Sequence, residues 1–191
     1  RPNRTRRTCT PSCRMRSVRA RGGRAAYASG SISCSAPGTV VPPGTPIVLV
    51  TDPGGEEEAK VRLARIGFDE VVGVLEGGVA RLADRPELAR QASRLAVPTF
   101  DELTADGSVQ VIDIRNPGET ALGTIPGAVT IPLATLRDRA ADLDLDHPIV
   151  AYCAGGYRSS VAASLLRSLG ATDVSDLLGG YGAWVQAHAT V

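Results

Sequence analysis

The sequence of 191 residues lacks any long apolar segment. A membrane-spanning helix needs about 18 or more apolar residues in a row, and no such run occurs. The N-terminal part also lacks the apolar core of a secretory signal peptide. We therefore expect a soluble, cytoplasmic protein.

Cysteine and histidine are scarce, with four and two copies respectively. Cys9, Cys13 and Cys34 all lie near the N-terminus, which leaves Cys153 alone in the rest of the sequence. Cys9 and Cys13 have no further cysteine or histidine at the spacing of a zinc site, so we assign no metal. A disulfide scaffold is excluded as well, which fits a reducing compartment.

Acidic residues are absent from residues 1–51, which carry nine arginines. The remainder carries 12 basic and 20 acidic residues, a balance that argues against nucleic-acid binding there. Residues 1–45 also have few large apolar side chains and no sustained period, so we predict a disordered or non-native Arg-rich leader. Three interpretations compete for it: a transit peptide, a nucleic-acid-binding arm, and a non-native translation joined to a real domain.

What the sequence does contain is a strand–loop–helix pattern in residues 148–170. Residues 149–152 form a short apolar run of the kind found in buried strands. After Ser160, apolar residues recur at the spacing of one helix face, at Ala162, Leu165, Leu166 and Leu169. Cys153 is therefore predicted to lie where a strand ends and a tight loop leads into a helix.

This loop consists of Cys153, Ala154, Gly155, Gly156, Tyr157, Arg158 and Ser159. Unpaired N–H groups in the first turn of a helix, the helix dipole and the Arg158 cation all favour an anion, here a thiolate. The two glycines allow successive N–H groups to converge on that anion. We therefore predict that Cys153 is a nucleophile rather than a buried core thiol.

Four residues separate Cys153 from Arg158, and this spacing resembles the active loop of the rhodanese (sulfurtransferase) family. Related cell-cycle phosphatases have one residue more, and their wider loop admits phosphate. The resemblance covers about residues 97–190, with Thr124 as a departure where the family usually has His. Family motifs occur in the expected order: the Asp-x-Arg strand at 111–115 followed by Glu119, IPGA at 125–128, IPL at 131–133 and the closing GG…W turn at 178–184.

The resemblance implies an α/β fold of the rhodanese type, with a mostly parallel sheet and helices on both faces. It implies that Cys153 takes a sulfane sulfur from thiosulfate or a low-molecular-weight persulfide and passes it to a thiol or cyanide acceptor, with no cofactor. Asp113 and Arg115 would support the loop, or else form an ordinary surface ion pair. Arg158 would hold the anionic end of the donor, or else tie the loop down in a salt bridge. Tyr157 and Trp184 would line the pocket or simply pack.

Two other functions stay open at this point. The chain could be a non-catalytic sulfur carrier or interaction module of a larger fusion. A phosphatase or arsenate reductase is disfavoured by the length of the loop.

An internal repeat precedes this domain, because residues 46–48, 63–65 and 77–78 recur 102 positions later. Thr51 stands where the cysteine should be, and Glu56 where the arginine should be. We predict that residues 46–96 are a partial, catalytically inactive rhodanese-like copy and that residues 97–191 are the active domain. Such a tandem is similar to the C-terminal part of metallo-β-lactamase-fold/rhodanese fusion proteins, whose metal domain would lie upstream. The segment that joins the copies is predicted to be a helix from Pro86 to Leu95.

Overall fold

A computed structural model of the chain describes residues 17–20, 23–25, 40–78, 80–83, 89–90 and 93–189. Its strands and helices are, in chain order, β1 (Ser17–Ala20), β2 (Gly23–Ala25), β3 (Ile47–Leu49), α1 (Glu56–Ala64), β4 (Val71–Val74), α2 (Ala80–Ala83), β5 (Ala89–Arg90), β6 (Ser93–Leu95), α3 (Val97–Ala105), β7 (Gln110–Asp113), α4 (Pro117–Thr120), β8 (Val129–Thr130), β9 (Ile149–Tyr152), α5 (Tyr157–Leu169), β10 (Val174–Leu177) and α6 (Gly180–His188). Two short 3-10 turns, Leu133–Thr135 and Ala140–Asp142, lie between β8 and β9. In the described part of the chain, no helix is long and apolar enough to cross a membrane.

The described residues from β6 onwards form a parallel sheet with the strand order β6-β10-β9-β7-β8. Successive residues of a strand point to opposite faces, and β9 shows this directly. Ile149 and Ala151 pack in a cluster with Leu165 of α5, whereas Tyr152 packs in a second cluster with Phe100 of α3. Helices therefore cover both faces of the sheet, and the predicted α/β fold with a mostly parallel sheet is confirmed.

Helix α5 begins and ends at glycines in the left-handed region. Gly156 precedes it with φ +90°, and Gly170 follows it with φ +117°. The Ala171 N–H closes the last turn on the Leu166 carbonyl at 3.1 Å. Leu166 is fully buried, which contributes roughly 2 kcal/mol of hydrophobic stabilisation. The helix is thus held at a fixed distance from the sheet, with its N-terminus beside the end of β9.

Strands β3 and β4 are connected by α1 and pair in parallel, and they form a separate two-stranded sheet. The pairs Val48–Gly73 and Leu49–Val74 correspond, at an offset of 102, to Val150–Ser175 and Ala151–Asp176 of β9 and β10. Both units are therefore strand–helix–strand crossovers with matching register over these two pairs.

The predicted helix from Pro86 to Leu95 is wrong. Ala89–Arg90 and Ser93–Leu95 are strands, and β6 pairs with β10 in parallel at the edge of the sheet. Backbone hydrogen bonds to that edge outweigh the helix propensity of a segment rich in Ala, Leu, Arg and Glu.

The Arg-rich leader contains two described elements, the antiparallel strands β1 and β2, and β1 also pairs with β5. These strands differ from the disorder predicted for this region. Cys9, Cys13 and Cys34 lie outside the described residues. The division of the chain at residues 45 and 96 stays a prediction.

Candidate active site

Cys153 follows directly after β9, and its side chain is almost fully buried, at 1% exposure. The Gly156 N–H donates a hydrogen bond to its Sγ at 3.0 Å. The hydroxyl of Ser159, in the first turn of α5, lies 3.6 Å from the same sulfur. The sequence-predicted loop thus surrounds the sulfur with a backbone donor, a hydroxyl and the positive end of a helix.

The backbone of the loop depends on Gly156. Its φ of +90° is unfavourable for residues with a Cβ. A Cβ at this position would also lie 3.3 Å from Nη2 of Arg94 and from the backbone N of Gly179. The turn that directs its N–H to the sulfur therefore favours glycine because of its conformation, and a Cβ there would also be in tight contact with its neighbours.

Arg158 forms a two-pronged ion pair with Glu119. Its Nη1 and Nη2 each donate to one carboxylate oxygen at 2.6 Å. These bonds lower the pKa of Glu119 to about 2 and raise the pKa of Arg158 above its ordinary value. Glu119 is itself held in place, because its carboxylate accepts from the Asn116 N–H at 3.1 Å in a capping box. The structure thus contains the salt bridge that was the second role considered for Arg158.

Asp113 and Arg115 form a buried pair at the end of β7. Arg115 Nε lies 3.0 Å from both Asp113 oxygens, and Nη2 lies 2.6 Å from one of them. The Arg115 guanidinium also donates to the Gly123 carbonyl at 2.6 Å and lies 4.0 Å above the Tyr181 ring. Tyr181 in turn donates its N–H to the Cys153 carbonyl at 2.7 Å. Arg115 thus contacts the ring of the residue whose N–H binds the loop, while the supporting role of the pair stays a prediction.

The N-terminus of α6 fits closely against the outer side of the loop. The N–H groups of Tyr181 and Gly182 donate to the carbonyls of Cys153 and Ala154, at 2.7 and 3.1 Å. A Cβ on Gly180, whose φ is +58°, would overlap the Cys153 carbonyl. Gly180 of the GG…W turn is therefore needed for this close approach.

The two aromatic residues considered for the pocket are partly buried and pack against the core. Trp184 packs against the cluster of Phe100 and Tyr152, with its ring stacked on Tyr181 at 6.1 Å. Tyr157 packs against the cluster on the other face of the sheet. Burial raises the pKa of the Tyr152 phenol, and its oxygen accepts the Ile125 N–H at 3.0 Å.

Sequence reasoning missed a second ion pair, between the partly exposed Arg94 of β6 and the buried Asp176 of β10. Arg94 Nη2 donates to Asp176 at 2.9 Å and to the Gly156 carbonyl at 3.2 Å. Asp176 is 1% exposed and lies 3.5 Å from the Ser159 hydroxyl. The erroneous helix from Pro86 to Leu95 concealed Arg94, whereas an acidic residue between Val174 and Leu177 in a short strand-like segment was a signal for Asp176.

In the first strand–helix–strand unit, residues 51–56 occupy the position between β3 and α1 that the Cys153 loop occupies between β9 and α5. Thr51 is buried, and among the described residues its Oγ1 has no hydrogen-bond partner. Gly54 has φ +85°, close to that of Gly156 102 positions later. A Cβ on Gly78 would lie 2.5 Å from the Thr51 carbonyl, as Gly180 lies close to the carbonyl of Cys153.

Residues 97–187 match the rhodanese-like domain family. The thiosulfate sulfurtransferase GlpE of Shewanella oneidensis is 36% identical over 95 residues, which are 50% of this chain and 94% of that protein. The human thiosulfate:glutathione sulfurtransferase is 33% identical over 112 residues, covering 51% of this chain and 97% of that protein. An uncharacterized protein of Bacillus subtilis, YqhL, is 41% identical over 75 residues, and the chain spans 60% of its length.

Among solved structures, the human single-domain sulfurtransferase TSTD1 has a TM-score of 0.48 and is 30% identical. The match covers 51% of this chain and 99% of that one. The family assignment rests on the sequence relatives, which are matched almost from end to end within one half of this chain. Through residues 97–187, the chain belongs to the rhodanese-like domain family.

Proposed function

We propose that the protein is a sulfurtransferase in which Cys153 carries the transferred sulfur as a persulfide. The observation that carries this proposal is the Gly156 N–H, 3.0 Å from a sulfur at the positive end of α5. The relatives named thiosulfate sulfurtransferase and thiosulfate:glutathione sulfurtransferase support the same reaction class.

The reaction divides into two displacements at sulfur. The Cys153 thiolate attacks the outer sulfur of thiosulfate; a new S–S bond forms, the old one breaks, and sulfite leaves with its electron pair. A thiolate acceptor then attacks the outer sulfur of the Cys153 persulfide and takes it, which returns Cys153 to a thiolate. Cyanide can replace the thiolate and leaves as thiocyanate. A low-molecular-weight persulfide can replace thiosulfate as the donor. Because the first product leaves before the acceptor reacts with the Cys153 persulfide, ping-pong kinetics are expected.

The loop stabilises negative charge in both steps. Sγ already accepts the Gly156 N–H, and Ser159 lies close enough to donate as well. Such donors are fixed before the reaction and need no reorganisation during it. Arg158 is held by Glu119 in a bidentate pair, which favours a role in shaping the loop over a role in binding the donor.

The test is the intact mass of the protein after incubation with thiosulfate. We expect a gain of one sulfur atom that dithiothreitol removes and that is absent from Cys153→Ser. A wild-type protein that gains no mass and forms no thiocyanate from thiosulfate and cyanide would reject the proposal. A sulfur adduct without turnover would indicate a carrier instead of an enzyme.

We also infer that, within residues 46–96, the strand–helix–strand part from β3 to β4 is a partial inactive copy of the same unit, whereas β6 at the end of this range belongs to the sheet of the second unit. Three correspondences at the offset of 102 support this inference: the register of β3 and β4, the left-handed Gly54, and the close approach of Gly78 to the Thr51 carbonyl. Its context in a fusion with a metallo-β-lactamase-fold domain, and a cytoplasmic location, stay predictions.

A further inference from the structure

The Arg94–Asp176 pair contacts the Cys153 loop from the two neighbouring strands β6 and β10. Arg94 Nε lies 3.1 and 3.2 Å from the two carboxylate oxygens, and Nη2 lies 2.9 Å from one of them. The same Nη2 donates to the Gly156 carbonyl, so the pair is attached to the residue whose N–H binds Sγ. Arg94 lies outside the segment that matches the family.

Ser159 connects this pair to the sulfur. Its hydroxyl carries one hydrogen but lies between two acceptors, Sγ of Cys153 at 3.6 Å and Oδ2 of Asp176 at 3.5 Å. When Cys153 is a thiol, its S–H can point to Ser159 Oγ while Ser159 donates to Asp176. When Cys153 is a thiolate, the Ser159 hydrogen is better placed on the sulfur.

The charge on Asp176 affects the relative free energies of these two arrangements, and therefore how readily Cys153 loses its proton. A buried carboxylate competes for the Ser159 hydrogen and repels a thiolate, and Arg94 offsets both effects by binding the carboxylate. We propose that Arg94 and Asp176 are positioning residues that set how readily Cys153 ionises, and that they act through the hydroxyl of Ser159. This inference rests on the proposed function only in taking Cys153 as the nucleophile.

Two other charged pairs of this site are left unchanged by the test. Arg158 of α5 interacts electrostatically with Cys153 and is paired with Glu119 of α4. Asp113 and Arg115 of β7 form a neutral pair of their own.

The experiment is a pH titration of the thiolate by its ultraviolet absorbance, with the signal of each variant corrected by its Cys153→Ser counterpart. Relative to wild type, Arg94→Gln should move the midpoint up by about 1 pH unit, because an uncompensated anion remains beside the sulfur. Asp176→Asn should move it down by a similar amount. The double variant should return close to wild type. The matched control is Arg139→Gln, which removes an exposed arginine paired with Asp142 and should leave the midpoint unchanged.

Repeating both variants in a Ser159→Ala background tests the connection. We expect the shifts to shrink to less than half, and full shifts in that background would overturn the role of Ser159. Unchanged midpoints in folded Arg94→Gln and Asp176→Asn would overturn the inference as a whole. If Arg94→Gln does not fold, Asp176→Asn alone decides the question. Its predicted effect is a lower titration midpoint of the thiol, and a general loss of structure does not predict a change in that direction.

The titration does not use sulfur transfer. Shifted midpoints in a protein that gains no sulfur from thiosulfate would reject the proposed function and leave this inference standing. Normal sulfur uptake with unshifted midpoints would reject this inference and leave the proposed function standing.

Discussion

The loops at residues 51–56 and 153–158 are placed alike but differ in their side chains. Each connects a strand to a helix, contains a glycine with φ near +90°, and presents a carbonyl to a glycine after the next strand. One has Cys153 and Arg158; the other has Thr51 and Glu56 at the matching positions. The comparison teaches that this backbone forms with quite different side chains, so the proposed chemistry depends on a few side chains and not on the path of the loop.

The largest effect is expected from Cys153→Ser. Sulfur transfer should fall to the background rate, because a serine hydroxyl is not ionised near neutral pH, while the fold is kept because the change in volume is small. Thiocyanate formation and circular dichroism measure the two properties. The matched control is Thr51→Ser, which should keep full activity. A loss of activity there would mean that the first loop takes part in the chemistry.

The second largest effect is expected from Gly180→Ala. This residue corresponds to Gly78 of the first unit, so the two positions can be compared. The left-handed φ and the overlap with the Cys153 carbonyl should lower the free energy of unfolding by about 2 kcal/mol or more and sharply reduce sulfur transfer. Urea unfolding and the thiocyanate assay measure this. Gly127→Ala, with φ +79° and open space around the Cβ, isolates the conformational part and should cost about 1 kcal/mol.

The counterpart in the first unit, Gly78→Ala, sharpens the comparison further. It should destabilise its own unit but leave sulfur transfer within about twofold of wild type, a window of less than 1 kcal/mol. A strong loss of activity would show that the two units are coupled.

Glu119→Gln tests the role of Arg158, a residue that is replaced by Glu56 in the first loop. We expect sulfur transfer to fall about tenfold, equivalent to about 1.4 kcal/mol, because the loop loses a charged anchor. A lower KM for thiosulfate would instead show that the released arginine binds the donor. Steady-state kinetics with varied thiosulfate separate the two outcomes.

The same variant has a defined pH dependence. The pKa of Glu119 is lowered from 4.5 to about 2, so the ion pair stabilises the fold fully above about pH 4.5 and loses this effect as the pH falls through 2. The stability difference between wild type and Glu119→Gln, measured by urea unfolding, should therefore vanish across that interval. A difference that is constant from pH 7 to pH 2 would contradict the assignment.

The smallest effect is expected from Thr51→Val. The buried Oγ1 has no partner among the described residues, so replacing it with a methyl group should raise the free energy of unfolding by about 1 kcal/mol or less. Sulfur transfer should not change. A clear destabilisation would indicate that this hydroxyl has a partner that matters.

The parts of the site that are contiguous in sequence were predictable. Cys153, its glycines and the start of α5 lie within a few residues of each other, and local rules for strands, helix N-termini and glycine apply directly. The β6 strand was not predictable, because its residues favour a helix locally and become a strand only by pairing with β10. Arg94 and Asp176 are 82 residues apart, so their ion pair depends on the order of the strands. The choice between two roles for Arg158 likewise depended on where α4 places Glu119.

The contact between α6 and the loop has a consequence for biosynthesis. The carbonyls of Cys153 and Ala154 accept hydrogen bonds from Tyr181 and Gly182, which the ribosome adds well after the loop itself. A nascent chain that ends before Tyr181 contains Cys153 but lacks the two N–H groups that bind these carbonyls. The loop therefore gains its full set of backbone hydrogen bonds only after the start of α6 has been added.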